Sequence, residues 1–201
     1  MTHSLLSSWL YSMKENTYGD ATTERDSYAE FLQVLRREPT PTNEAMQKGI
    51  DFEDMVTGIL TNDPDKMNLN PKWFDAAFKV ADILGPAQLQ HRARRLIRVG
   101  DMDFVLYGRL DALLGGVISD IKFTGSYDVG KFVDSTQHPT YMEIVPEATK
   151  FVYVVTNGTS VWTETYRRDE CRDIKVIIAQ FMDWLTANGL MYLYKQHWLA
   201  K

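Results

Sequence analysis

The chain has 201 residues, a formal net charge of −5 and one cysteine, Cys171. That length suffices for one domain with a real core, and a lone cysteine excludes an internal disulfide and a four-cysteine zinc or iron–sulfur site. No apolar run is long enough to span a membrane, and the acidic balance argues mildly against nucleic-acid binding, which leans on Lys and Arg, although acids that hold a metal count in the same sum.

In chain order, Leu5, Leu6, Trp9, Leu10 and Met13 recur at helical spacing after an N-terminus without the basic lead or cleavage site of a secretory signal. Tyr28, Phe31, Leu32 and Leu35 mark a second helix, which Pro39 and Pro41 are expected to stop. A third is expected from Thr42 or Asn43, both good caps, to about Leu60. Asn70 caps a fourth with Pro71 at its first position. Trp73, Phe74, Ala77, Phe78, Ala81 and Leu84 form its stripe, and Gly85-Pro86 ends it. The period then turns extended, and residues 94 to 99, 102 to 114 and 117 to 123 read as three strands. The segment HRARRLIR places Arg92, Arg94, Arg95 and Arg98 together, which reads as a solvated strand edge. A helical connection starts near Ser135 or Thr136, where Pro139 costs little. Residues 151 to 156 and 160 to 166 form a pair joined through Asn157-Gly158, and a last helix covers about 170 to 188. The expectation is one α/β domain over residues 1 to 201, with a central mixed β-sheet flanked by helices, a helical extension over 1 to 40 and a core over 43 to 188.

The stretch YGRLDALLGGVISDIK carries charges among core residues. If Gly115-Gly116 is a two-residue hairpin turn, Leu114 faces Val117, Leu113 faces Ile118, Asp111 faces Asp120 and Arg109 faces Lys122. All four polar residues then share one face. Like charges directly opposed destabilise a sheet. A charge cluster with Lys122 and Arg109, a divalent cation on the two carboxylates, or one protonated Asp would each compensate. A further acid stands on the third helix. The stripe Met46, Ile50, Glu53, Val56 or Thr57 and Leu60 puts Glu53 where an apolar residue is expected, and glutamate is seldom buried without a partner. Asp51 and Asp54 fit a solvent face.

Gly49-x-x-x-Glu53, Gly108-Arg109-x-Asp111, Asp120-x-Lys122 and Gln137-x-x-x-Tyr141 follow in that order. Over residues 45 to 166 the set resembles the PD-(D/E)XK nuclease superfamily, nearest its RecB-like and phage lambda-exonuclease-like branch. The resemblance implies a restriction-endonuclease-like core and a catalytic set of Asp111, Asp120, Lys122 and Glu53. It implies Mg²⁺ or Mn²⁺ on Glu53, Asp111 and Asp120, with the Ile121 carbonyl as a further ligand. Lys122 would orient or activate the attacking water or stabilise charge on the phosphate. Gln137 and Tyr141 would contact substrate or support the lysine; a core aromatic is the other reading of Tyr141. Arg109, Lys131 and the arginines of residues 92 to 98 are the basic candidates for contact with the nucleic-acid backbone.

The implied activity is a Mg²⁺/Mn²⁺-dependent deoxyribonuclease, an exonuclease of phage or bacterial recombination or repair, in the cytoplasm of a bacterial or phage-infected cell. DNA is the implied partner. A single-strand annealing or other recombination protein and a homo-oligomer, ring-shaped by analogy with the lambda-like branch, are the further ones. The sequence departs from the family at Leu110, where a proline is common, at Glu53, where many RecB-like members have histidine, and in lacking iron–sulfur cysteines. Two other readings stand: a catalytically inactive nuclease-fold protein that binds nucleic acid or assembles with partners, and a hydrolase of small phosphoesters. His3, His91, His138 and His197 show no zinc spacing, and Cys171 reads as a packing residue.

Overall fold

The computed structural model describes residues 1–18, 26–67 and 70–199, and within them five strands form one sheet in chain order. The helices are α1 (His3–Tyr18), α2 (Ser27–Leu35), α3 (Glu44–Thr61), α4 (Pro64–Met67), α5 (Phe74–Leu84), α6 (Gln137–Ile144), α7 (Ile174–Ala187) and α8 (Met191–Trp198). The strands are β1 (Gln88–Val99), β2 (Met102–Leu114), β3 (Val117–Phe123), β4 (Lys150–Thr156) and β5 (Val161–Arg167). β1 to β3 are an antiparallel meander, β4 runs parallel to β3, and β5 returns antiparallel. The sheet is therefore mixed, and helices cover both faces. No helix among the described residues is long and apolar enough to cross a membrane.

Two cores lie on the two faces. The larger joins Leu5, Trp9, Phe31 and Leu35 of α1 and α2 to Ile118, Phe151 and Tyr153 of the sheet and to Phe181 of α7. The expected N-terminal helical extension is present, and its two helices bury their apolar stripes in this core. The smaller core packs Phe52, Met55 and Val56 of α3 and Val80 of α5 on Ala112 and Val154.

Several boundaries differ from the sequence pattern. α2 ends at Leu35, ahead of the prolines, because Arg37 takes a left-handed backbone (φ 56) and its N–H turns back to Val34 O at 3.0 Å. Asn70 caps a 3₁₀ turn, Pro71–Trp73, and α5 starts after it. In α5, Phe74 and Phe78 are exposed while Ala76 and Val80 are buried. In α3 the buried face runs through Phe52, Met55 and Val56, whereas Met46 and Ile50 are exposed. Glu53 therefore borders the buried face instead of lying within it. β1 begins at Gln88, and α4 and α8 have no counterpart in the expected layout.

One irregularity positions the site. In the β1–β2 ladder the pairs Leu89–Ala112 and His91–Leu110 flank a break at Gln90 and Asp111. Gln90 has φ 52, an uncommon backbone for a residue with a side chain. Leu110 packs in the larger core and Ala112 in the smaller, although residues two apart should share a face. The two strands cross from one face to the other there, which aims Asp111 at the sheet's opening, as bulge-like breaks beside functional sites do.

Candidate active site

Gly115 and Gly116 both have positive φ (54 and 78) and close a two-residue turn, as the sequence predicts. Leu114–Val117, Leu113–Ile118 and Ala112–Ser119 pair in the expected register. The pairing ends there. The expected pairs Asp111–Asp120 and Arg109–Lys122 do not form, because β2 parts from β3 at the Gln90–Asp111 break and stays paired with β1, while β3 continues along β4. The Asp111 carboxylate takes over as acceptor: Ile121 N–H donates to its Oδ2 at 2.9 Å.

Asp120 is 3% exposed. Gln137 Nε2, at the start of α6, donates to its Oδ1. Lys122 Nζ lies 2.6 Å from its Oδ2 as an ion pair off hydrogen-bond geometry, so Oδ2 has no hydrogen-bond partner. Asp120 and Lys122 thus share a face, as strand alternation requires. Tyr141, one helical turn after Gln137, donates its OH to Arg109 O at 3.0 Å. Its ring covers Gly108, where an added Cβ would lie 2.3 Å from Tyr141 Cε1. The two motifs are therefore one packing unit. Tyr141 is both a core aromatic and a wall of the site.

Glu53 accepts from Gln90 Nε2, and burial raises its pKa, with the charges of Asp120 and Asp54 adding to the effect and Gln90 and Arg109 opposing it. Asp111 is held well above the ordinary carboxylate range, first by burial and then by the charges of Asp120 and Glu53. A folded pKa above the unfolded one means that the folded state keeps a proton the unfolded chain has released. That stability is full below about pH 4, the unfolded value, and is lost as pH rises through the raised value of folded Asp111. Asp111→Asn, which keeps an acceptor for Ile121, is expected to melt above the parent at pH 8 in EDTA and to lose that advantage toward pH 4. Thermal denaturation across this range checks it, and a variant that melts lower at pH 8 would refute the strained-carboxylate reading.

A cavity of about 980 Å³ is lined by His3, Arg92, Arg94, Arg109, Asp111, Asp120, Gln137 and Tyr141. A smaller cleft of about 410 Å³ holds Glu53 and Gln90 and shares Arg92 and Arg109 with the first. Lys131, expected at the substrate, is not brought here. Its Nζ donates to Thr124 Oγ1 (3.1 Å) and Ser126 O (2.9 Å), and it lines a separate cavity with Lys14 and Thr136. Two residues escaped the sequence pattern. Gln90 orients Glu53, and His3 edges against Tyr141 with ring centroids 5.3 Å apart. His3 Nδ1 is buried without a partner, and burial, with the nearby Lys122 charge, lowers its pKa to about 3, leaving a neutral ring. Neither has a sequence signal, since Gln90 needs an unpredicted backbone and His3 a tertiary contact between α1 and α6.

Among the described residues no three His, Cys, Asp or Glu side chains already stand as a metal-holding group. The donor chemistry nonetheless suits a hard divalent cation: carboxylate oxygens, one of them buried and without a hydrogen-bond partner on Asp120, beside an Asp111 that favours its neutral form while uncompensated.

The chain matches no family model and no curated protein. Among solved structures it is similar to the crystal structure of SSO0001, with 16% sequence identity and a TM-score of 0.51, over 93% of this chain and 75% of that one. At that identity the likeness speaks for a shared α/β fold and for nothing about the chemistry of either protein.

Proposed function

We propose that the protein is a Mg²⁺- or Mn²⁺-dependent deoxyribonuclease of the PD-(D/E)XK type, an exonuclease of phage or bacterial DNA recombination or repair. The observation that carries this reading is the meeting of Asp111, Asp120 and Gln137 on one cavity wall, with Lys122 paired to Asp120. Asp111 and Asp120 would hold the cation, with Glu53 and the Ile121 carbonyl as the further oxygen donors. Bound there, the cation supplies charge neutralisation at the phosphate and a more acidic attacking water.

The side chains supply the rest. Hydrolysis adds a water oxygen to phosphorus and releases the leaving oxygen with a proton. Lys122, two residues past Asp120, can donate a hydrogen bond to the attacking oxygen or to the charged phosphate oxygens as negative charge builds. Gln137 fixes the Asp120 carboxylate, and Tyr141 fixes the Arg109 backbone beside Asp111. Arg109, at the cavity mouth, is a cation for the adjoining phosphate.

A second reading is a nuclease-fold protein that binds nucleic acid without cutting it. It is favoured by the Lys122–Asp120 ion pair, which satisfies the lysine internally, and by the lack of a preformed three-acid group among the described residues. Labelled linear and circular DNA, incubated with Mg²⁺, Mn²⁺ or EDTA, separates the two. Degradation that needs the divalent ion and a DNA end is expected. Binding without degradation under any of these ions decides for the second reading.

A further inference from the structure

The outer face of the β1–β2 hairpin carries an arrangement that stability alone does not favour. The cross-strand pairs along it are Arg92–Arg109, Arg94–Tyr107, Leu96–Val105 and Arg98–Asp103. Arg98 is paired with Asp103 at 3.5 Å, and Arg95, on the other face, bonds Glu143 O at 2.8 Å and its carboxylate at 3.3 Å. Arg92, Arg94 and Arg109 have no ion-pair partner among the described residues, and all three are exposed. Arg92 and Arg109 are directly opposed, a like-charge pairing that costs a sheet free energy. In a chain of net charge −5, three guanidiniums side by side without a close ion pair, Arg109 also acting on Glu53, are not a by-product of a basic composition. They also border the cavity that holds Asp111 and Asp120, so a polyanion crossing them is delivered to the acids.

We propose that Arg92, Arg94 and Arg109 form a grip for the sugar–phosphate backbone of a polynucleotide on the outer face of the β1–β2 hairpin. This rests on the nuclease reading for its substrate class and adds the residues that hold the strand. A phosphodiester backbone presents repeated single charges, and guanidinium forks match phosphate oxygens in pairs. The strand axis sets the direction. Arg94 stands farthest from the acids, and Arg92 and Arg109 stand at the shared rim of the two clefts, so the backbone runs along β1 toward Asp111. Tyr107, opposite Arg94, offers a ring at the outer end of the track.

The test uses the full chain and a fluorescein-labelled linear DNA oligonucleotide in EDTA, where no turnover interferes. Binding is read by anisotropy at increasing KCl. The Arg92→Gln/Arg94→Gln double variant is expected to bind at least about tenfold more weakly at low salt. The slope of log affinity against log salt should flatten by roughly 1.4–1.8, since each phosphate that is no longer neutralised takes about 0.7–0.9 from it. Its melting temperature should not fall, since the Arg92–Arg109 repulsion is removed. Arg98→Gln, on the same hairpin but paired with Asp103, is expected to keep the parental slope. An unchanged slope in the double variant, or an equal change in Arg98→Gln, overturns the grip. The two proposals fail separately. Divalent-dependent cleavage with an unchanged slope sustains the nuclease and removes the grip. A flattened slope in a protein that cuts no DNA sustains the grip and removes the nuclease.

Discussion

Asp120→Asn is expected to lower divalent-dependent DNA cleavage by about a thousandfold or more while leaving the melting temperature unchanged or raised. The substitution keeps the shape and an oxygen for Gln137 Nε2, but removes the charge that would hold the cation. The stability half of the result decides between two explanations of the same charges. If Asp120 and Lys122 were a structural ion pair, breaking it in a nearly buried setting would destabilise by about 3–5 kcal/mol. If instead Asp120 is an acid kept at a cost beside Asp111 and Glu53, removing its charge relieves both neighbours, whose carboxyl pKa values its charge helps to raise. Lys122 is exposed enough, at 32% of its side chain, to turn to water when its partner is gone. Lys122→Met, which keeps the stem, should reduce cleavage about 10²–10³-fold. A several-degree fall in melting temperature for Asp120→Asn, with cleavage retained, would place these residues in the scaffold.

Gly108→Ala is expected to be the most destabilising single change near the site. The added methyl would sit 2.3 Å from Tyr141 Cε1 and 3.1 Å from its OH, and neither can yield freely. The ring is 4% exposed, packs within the larger core, and is anchored by the bond from its OH to Arg109 O. Overpacking of this kind costs about 3 kcal/mol at the upper end of its usual range, or roughly 6–12 °C in a domain of this size. Tyr141→Leu in the same chain should recover part of the stability by vacating the contested space. Gly49→Ala supplies the contrast. Its Cβ would meet Phe123 Cβ at 4.0 Å, an ordinary van der Waals distance, and a helix interior favours alanine by about 0.5–1 kcal/mol. Both glycines open short sequence motifs, Gly49-x-x-x-Glu53 and Gly108-Arg109-x-Asp111, but only Gly108 is required by space. Calorimetry on the variants tests this; a Gly108→Ala protein melting within about 2 °C of the parent would mean that the ring is not seated as described.

Elements written in local chemistry were legible from the sequence. Gly115-Gly116 set the hairpin register through Ala112–Ser119, and Asn43 caps α3, accepting from Met46 N at 2.8 Å. Asn157 receives the N–H groups of Thr159 and Ser160, closing the β4–β5 turn where it was expected. What depends on tertiary packing was not legible. Phe74 and Phe78 drew the α5 stripe toward themselves, yet small Ala76 and Val80 bury beside the expected Ala77, Ala81 and Leu84 because α3 approaches closely there. α8 is short, and it becomes a helix by burying Leu193 and Tyr194 under residues far away in sequence. The Gln90–Asp111 break left no trace, since neither residue is a glycine, and it undid the extrapolated pairing of Asp111 with Asp120. The α3 stripe lies to one side of the expected one, but Glu53 still borders the acids because Gln90 reaches across to it. Asp120, Lys122, Gln137 and Tyr141 fell where spacing alone put them, on one strand face and one helix turn.

A divalent ion among acids from three separate elements is the centre of the proposed chemistry. A crystal soaked in Mn²⁺ and measured for anomalous scattering tests that most directly. The predicted result is a peak in the cavity beneath Arg109, ligated by Asp111 and Asp120, with Glu53 turned from Gln90 toward it and Lys122 displaced from Asp120. Mn²⁺ bound only elsewhere on the surface, with Lys122 still seated on Asp120, would contradict it.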